Sequence, residues 1–436
     1  MPRVLGLPAL VFFGLVYMVP LTVFATYGVV TVITGGRTAL AYMATLAAMT
    51  FTSLSYGFMV RRYPVAGSAY SYASLSFGSG PGFLVGWSLL LDYLFLPMIN
   101  YLVIGLFLNI AFPGVPSWIF VVVSVALVTL LNLRGIDSVS GVSNALVTVQ
   151  IVFITVFLGA SALRVAGTHV NLVTTVLGDG TRTDLASLMA GAAVLCLSFL
   201  GFDAISTLSE EARDPRRDVP RAIAMTTLGA GLLFIVLALV SQLVFPGSTF
   251  QSPETAANEV MRRAGGTLLE NLFTAAFVSG AAGSALASQA SVSRILYSMG
   301  RDGILPRRAF GTLSRRYRTP TVAILTVSLV SLLAIVVDLT TLASLINFGA
   351  LVAFSAVNLA VVRTHLLDGQ VHTFGEKLRY GLVPLIGFGL ITWLWTSLSA
   401  QTLRMGVAWF ATGFIYLAVQ TRGFSRPAPQ VQFSEH

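Results

Sequence analysis

Lysine, cysteine and histidine are almost missing from this 436-residue chain, which holds one, one and four of them. Each scarcity removes a class of function. Cys196 alone forms neither an intramolecular disulfide nor a thiolate-rich metal site. Lys377 is followed by Leu378, so the chain has no G-K-[ST] phosphate loop, and driving energy is expected from an ion or solute gradient rather than from ATP. His169, His365, His372 and His436 fall in predicted loops or the tail, so no histidine-based catalytic group or metal site is expected within the membrane, and no cofactor is implied. Charge is thin as well: 10% of residues are charged against 56% hydrophobic, and mean hydropathy is +0.84. Such values do not describe a soluble domain.

What the chain has instead is apolar length. Runs able to cross about 30 Å of hydrocarbon need roughly 17 to 25 residues. Twelve such runs are present, near 8–33, 39–60, 83–111, 117–133, 143–164, 187–209, 222–245, 268–292, 320–337, 341–363, 382–399 and 404–421. Backbone groups in lipid must be satisfied within their own segment, so the predicted fold class is all-α, a polytopic membrane protein with 12 transmembrane helices. The first run is too long for a secretory signal, lacks a small-residue cleavage site and is followed by eleven more. The net charge of +9 needs no nucleic-acid partner. With the N-terminus inside, twenty of the 26 basic residues fall on inner loops and termini, and six (Arg37, Arg164, Arg182, Arg262, Arg263 and Arg404) on outer ones. That bias places both termini in the cytoplasm, with some attraction to anionic lipid. The inner loop near 294–319 carries Arg301-Asp302-Gly303 and Arg315-Arg316-Tyr317-Arg318. It reads as a solvated basic loop, or as a salt-bridge network locking a gate.

Two apolar runs are interrupted. Tyr17-Met18-Val19-Pro20-Leu21-Thr22 breaks the first, and Ser198-Phe199-Leu200-Gly201-Phe202-Asp203 breaks the sixth, ahead of Glu210-Glu211-Ala212-Arg213-Asp214-Pro215. A carboxylate beside a glycine break at bilayer depth is costly and marks a solute site. Interruptions in corresponding places predict a 5+5 inverted repeat within one domain, 1–436. Helices 1–5 (8–166) form one half and helices 6–10 (187–363) the other, with helices 11–12 (382–421) appended and a cytoplasmic tail over 422–436. Glycine- and alanine-rich runs such as 280–285 allow close helix packing within or between chains, so the oligomeric state stays open.

Six segments in order resemble the amino acid/polyamine/organocation permeases over nearly the whole chain. They are Pro64 to Tyr72, Gly82 to Trp87, Asn132-Leu133-Arg134-Gly135, Gly201-Phe202-Asp203, Arg213 to Arg221, and Ser293 to Tyr297 with Arg301-Asp302-Gly303. The match is nearer to the putrescine importer branch at Pro20 to Phe24, Leu90 to Asn100, Ser198 to Glu211, and Leu345 to Phe354. The resemblance implies a LeuT-like fold and proton- or ion-driven uptake, by symport, of a diamine. In members that handle polyamines or cationic amino acids, an acidic residue at the position of Asp203 contacts the cation. Asp203 is thus the leading substrate or coupling residue; capping of the backbone, or a bond to Ser206 or Thr207, is its structural alternative.

Amino acid permeases of this family carry a glycine-rich break in helix 1 whose bare N–H groups hold a carboxylate. Here Pro20 has no N–H, Leu21 crowds the approach, and Thr22 follows, which favours an amine without a carboxylate. A diamine needs a second anionic or aromatic group, supplied by Tyr93 or Asp92. Phe24, Phe199 and Phe202 are candidate walls and gates beside Gly201, and Asn347 and Tyr297 weaker lining candidates; plain packing is the alternative for each. Glu210 and Glu211 read as a gate or an ion pair near Arg213, Arg216 and Arg217. Two departures matter. Ala25 stands where putrescine importers carry an acid, which makes monoamines or cationic amino acids more plausible. Gln150 stands where some proton-coupled members carry a lysine, so their coupling mechanism does not transfer. The reading is a secondary transporter of a small amine, with an amino acid permease as the alternative and a membrane-embedded enzyme or channel as a remote one.

Overall fold

The structure is a computed structural model that describes residues 5–65, 68–134, 139–166, 172–177, 184–301, 305–314, 317, 319–368, 373–423 and 425. Ala66 and Gly67, Gly135, Asp302 and Gly303, Arg315, Arg316 and Arg318, His169, His372 and most of the 422–436 tail lie outside the described residues.

Helices occupy all twelve expected positions. In chain order they are α1 (Leu7–Met18) and α2 (Thr22–Ile33), α3 (Thr38–Arg62), the short α4 (Ser68–Phe77), α5 (Ser79–Ala111), α6 (Ser117–Arg134), α7 (Val139–Val165), α8 (Leu172–Leu177) and α9 (Leu185–Leu195). After α9 come two 3-10 segments, Cys196–Phe199 and Asp203–Leu208. Then follow α10 (Pro215–Val244), a 3-10 turn Pro253–Thr255, α11 (Ala256–Arg301), α12 (Arg307–Phe310), α13 (Thr321–Ser331), α14 (Leu339–Val361), α15 (Phe374–Lys377), α16 (Val383–Thr396) and α17 (Ala400–Gln420). By length and composition, nine spans among the described residues can cross a membrane, ten with α1 and α2 counted as one broken span bent by 48°. The two other expected spans fall short for local reasons. That in α11 is diluted by alanine, glycine and serine, and Thr321–Ile335 is a shorter apolar helix.

α11 is longer than its apolar run and turns at Gly265–Gly266, where Gly266 takes φ 71°. Arg262 bridges that turn with two bonds to Glu270, 2.8 and 2.9 Å. His365, expected in a loop, instead lies in a π-helical continuation of α14 over Val362–Leu367, its ring stacked on Tyr380 at 4.5 Å.

Two groups of helices face each other. α3 runs along α10, α1 packs on α10, and α9 on α2 and α3; α5 packs on α11 and α14, and α7 on α11. The span Leu185–Leu208 and the span containing α14 are each 72% buried and therefore central, whereas α17 at 22% is peripheral. Peripheral α17 is pinned to α5 by reciprocal bonds, Trp87 Nε1 to Trp409 O at 3.0 Å and Trp409 Nε1 to Trp87 O at 2.9 Å.

Candidate functional site

The first break follows from proline chemistry. Pro20 cannot donate to the helical ladder, so α1 ends at Met18, and Val19 turns the chain at φ 49°. A β-branched residue at positive φ is strained by about 1–3 kcal/mol. Thr22 repairs the gap twice: its N–H bonds Val19 O at 2.8 Å, and its hydroxyl bonds Met18 O at 3.1 Å.

At the second break Gly201 takes φ 126°, and a side chain there would meet Tyr17 Cδ1 at 2.6 Å and Met18 N at 3.2 Å. Glycine is therefore required both for the turn and for contact between the two breaks. Asn347 on α14 donates to Ala193 O and Val194 O at 2.9 and 3.0 Å, satisfying carbonyls at the end of α9.

A cavity of about 50 Å³ lies where the breaks meet α5 and α11. Tyr17, Met18, Val19, Thr22 and Ala25 line it from the first break, Leu197 and Leu200 from the second, Leu96, Ile99, Asn100 and Val103 from α5, and Phe277, Ala281 and Ser284 from α11. Its polar wall is built from Asn100, whose amide nitrogen donates to Leu96 O at 2.8 Å and Ser284 Oγ at 3.0 Å.

Asp92 precedes Leu96 and Asn100 by one and two turns of α5, so it shares their helix face. Asp92 and Asp203 are buried, at 6% and 5% exposure. They interact electrostatically with each other and with the hydroxyls of Tyr17, Tyr56 and Tyr93. Among the described residues, no cationic side chain pairs with either acid. Asp203 is turned back on its own segment: Oδ1 accepts from Gly201 N at 3.2 Å, and Oδ2 from the Ser68 hydroxyl at 3.5 Å. Ser206 and Thr207 bond backbone carbonyls, those of Asp203 and Ala204, rather than the carboxylate. Ser68 opens α4 at φ 51°, the second strained non-glycine residue at this site.

Of the expected residues only Thr22 lines the cavity; Gly201 abuts the lining residues Tyr17 and Met18, Asp203, Asp92 and Tyr93 interact electrostatically with Tyr17 or with one another without lining it, and Pro20 ends the helix beside it. Phe202 packs beside them against Tyr56 and Phe354, with ring centres 5.7 and 5.2 Å away. Other candidates lie apart. Phe24 sits in a cluster with Phe157 and Phe273 at 5.4 and 5.3 Å, and Phe199 packs on Phe234 at 5.5 Å. Asn347 braces α9, and Tyr297 lies half-buried further along α11. Gln150 presses its amide against Gly280, one residue before the lining Ala281. Glu210 and Glu211 lie in the strand-like segment where Leu5 N bonds Glu211 O at 3.0 Å and Arg213 N bonds Leu5 O at 2.9 Å.

Tyr17, Ser68, Asn100 and Ser284 escaped sequence reasoning as site residues. The four-residue spacing of Asp92, Leu96 and Asn100 was a usable signal for one of them; Ser68 and Ser284 carried none.

The amino acid permease family profile matches residues 9–419. The low-affinity putrescine importer PlaP of Escherichia coli strain K12 is 41% identical over 440 residues, covering 99% of this chain and 96% of that protein. The branched-chain amino acid permease BcaP of Bacillus subtilis strain 168 is 25% identical, covering 97% and 94%. The vacuolar cationic amino acid transporter 4 of Arabidopsis thaliana is 26% identical, covering 76% and 57%.

Proposed function

Because the chain belongs to the amino acid permease family, we propose that it is a secondary active importer whose cargo is putrescine or a related polyamine. The observation that carries this reading is the pair of buried acids, Asp92 and Asp203, with no cationic side chain paired to them among the described residues. Ionised carboxylates are costly in such a setting unless a cation joins them, and a diamine brings two. In this reading Asp203 holds one ammonium beside Gly201 and Phe202. Asp92 and Tyr93 receive the other, with Tyr17 lending its ring face. The cavity wall of Leu96, Ile99 and Thr22 covers the methylene chain.

The two halves, 8–166 and 187–363, belong to the same proposal, as do helices 382–421 and the 422–436 tail. So do a proton as the coupling ion, residence in the inner membrane, and cytoplasmic termini. The group of α1, α2, α3, α9 and α10 rocks against α5, α7, α11 and α14. Contact of Leu5 with the Glu210–Arg213 segment acts as the inner gate.

A second reading, amino acid uptake, draws on Ala25. It lines the cavity and adds no third carboxylate at that end, which suits a cargo of single charge. Uptake of labelled putrescine by cells lacking their own polyamine importers separates the two. Uptake that unlabelled putrescine competes away, and that Asp203→Asn abolishes, is the expected result. A correctly inserted protein that takes up no putrescine but does take up leucine or arginine would replace this reading with the second.

A further inference from the structure

We infer that the protein binds an anionic phospholipid where the last turn of α3 meets the start of α16, at the end of the bundle proposed to face the cytoplasm. The lipid is a second ligand, and its site stands whatever the cargo is.

The floor of the site is aromatic. Between α15 and α16 the chain makes a π-helical turn, Leu378–Leu382, which lies against the π-helical continuation of α14. Tyr380 in that turn stacks on His365 at 4.5 Å, with the rings 9° from parallel, and meets Phe58 of α3 edge-on at 5.1 Å. Arg379 lays its guanidinium over two of these rings, 5.1 Å from the centre of Phe58 and 5.5 Å from that of Tyr380. Such contact fixes the guanidinium by its face and leaves its N–H edge for a ligand.

α3 brings two more cations to the same place. Arg61 and Arg62 follow Phe58 by three and four residues, so they share its helix face one turn further on. Both are exposed, as is Arg379, and among the described residues none of the three is in an ion pair. Acids are scarce around them. The chain has none before Asp92, and those nearest in sequence to Arg379 are Glu376, which accepts from the Thr373 N–H at 3.1 Å in its own helix cap, and Asp368. Arginines gathered without acids repel one another, and a phosphate among them removes that cost through charge-assisted hydrogen bonds.

The surface beside the cations selects a lipid over a free anion. Phe374, Leu378, Leu382 and Ile386 recur every four residues, so they form one side of the helix, and all four are exposed. Their span, Phe374–Thr396, is long and apolar enough to cross a membrane. Arg379 follows Leu378 directly, so a headgroup on the arginines has its acyl chains beside this strip. Basic pockets between membrane helices take anionic headgroups in this way.

Mass spectra of the purified full-length protein, released intact from detergent containing equal amounts of phosphatidylglycerol and phosphatidylcholine with matched acyl chains, test the site. Phosphatidylglycerol should be retained in preference. Arg62→Gln and Arg379→Gln should each lower that preference about fivefold. Arg307→Gln, which removes an exposed arginine of α12, should leave it unchanged. Arg62 lies outside the stack of Phe58, Tyr380 and His365, so its variant decides the matter even if Arg379→Gln loosens the fold. The absence of any preference would overturn the proposal. So would an equal loss in Arg307→Gln, which would reduce the effect to general surface charge, or displacement of the lipid by excess inorganic phosphate, which would make the site one for a free anion.

Discussion

At the residue scale, the decisive positions are those where backbone geometry leaves little choice. Gly201 combines φ 126° with contact against Tyr17 and Met18. Gly201→Ala is expected to cost about 1–3 kcal/mol in backbone strain and to separate the two breaks, so uptake should fall together with melting temperature. Asn347 works by hydrogen bonds: Asn347→Ala strands two buried carbonyls, Ala193 O and Val194 O, at about 1–3 kcal/mol. Because Asn347 does not line the cavity, its loss should lower thermal stability more than cargo affinity. A change confined to affinity in a transport assay would place it at the cargo instead. Asp92 and Asp203 could be read from the sequence because charge is conspicuous in an apolar segment. Ser68 and Ser284 could not, since serine is common here and only the packing of α4 and α11 makes these two special.

At the element scale, Phe24 shows how a helix face is assigned by its neighbours. Phe273 on α11 touches Phe24, Phe107, Phe153 and Phe277, with ring centres 5.3 to 5.5 Å apart. α2 is thereby fastened to α5, α7 and α11. Removing the shared ring in Phe273→Ala is expected to cost about 3–5 kcal/mol, read as a lower melting temperature. On its other side α2 presents Gly28 to the 3-10 turn Pro253–Thr255, and a side chain there would overlap Pro253 O and Ala256 Cβ. Gly28→Val should therefore hold α2 away from that turn. An engineered cysteine at Thr22 would then be labelled faster from outside than in the parent protein, and an unchanged labelling rate would disprove this.

The start of α9 adds a pH effect. Asp184 caps that helix, and the Ser187 hydroxyl and the Ala186 N–H hold its carboxyl below the usual range. A depressed value in the folded state means that the cap stabilises above the unfolded carboxylate range and that this contribution disappears as pH falls through the folded value. The melting temperatures of the parent and Asp184→Ala should converge in that acid window.

At the scale of the whole molecule, the two helix groups touch around the breaks and the aromatic cluster and also where α3 packs on α14 and α10 on α7, so the proposed rocking must slide or part these contacts. Orientation is testable because Cys196 is the only cysteine and is buried. In a Cys196→Ala background, cysteines placed at Arg315 or Arg316 should react with an impermeant reagent only in inside-out vesicles. A cysteine at Arg404 should react only in right-side-out ones. The reverse pattern would invert the proposed topology.

The all-α membrane class, the family, the positions of both breaks and the two acids were all legible in the order of residues. Hydrophobic length, proline and glycine punctuation and buried charge are local properties that survive without a partner. Which side chains meet emerged from the packing of distant segments. Asp203 turns to Gly201 and Ser68, Phe24 and Phe199 leave the cavity for other rings, and Asn100 joins Ser284 across 184 positions. The physical reason is that in a bundle of apolar helices nearly every face can pack. The choice among faces is made by close approach, hydrogen bonds and ring contacts between segments far apart in the chain.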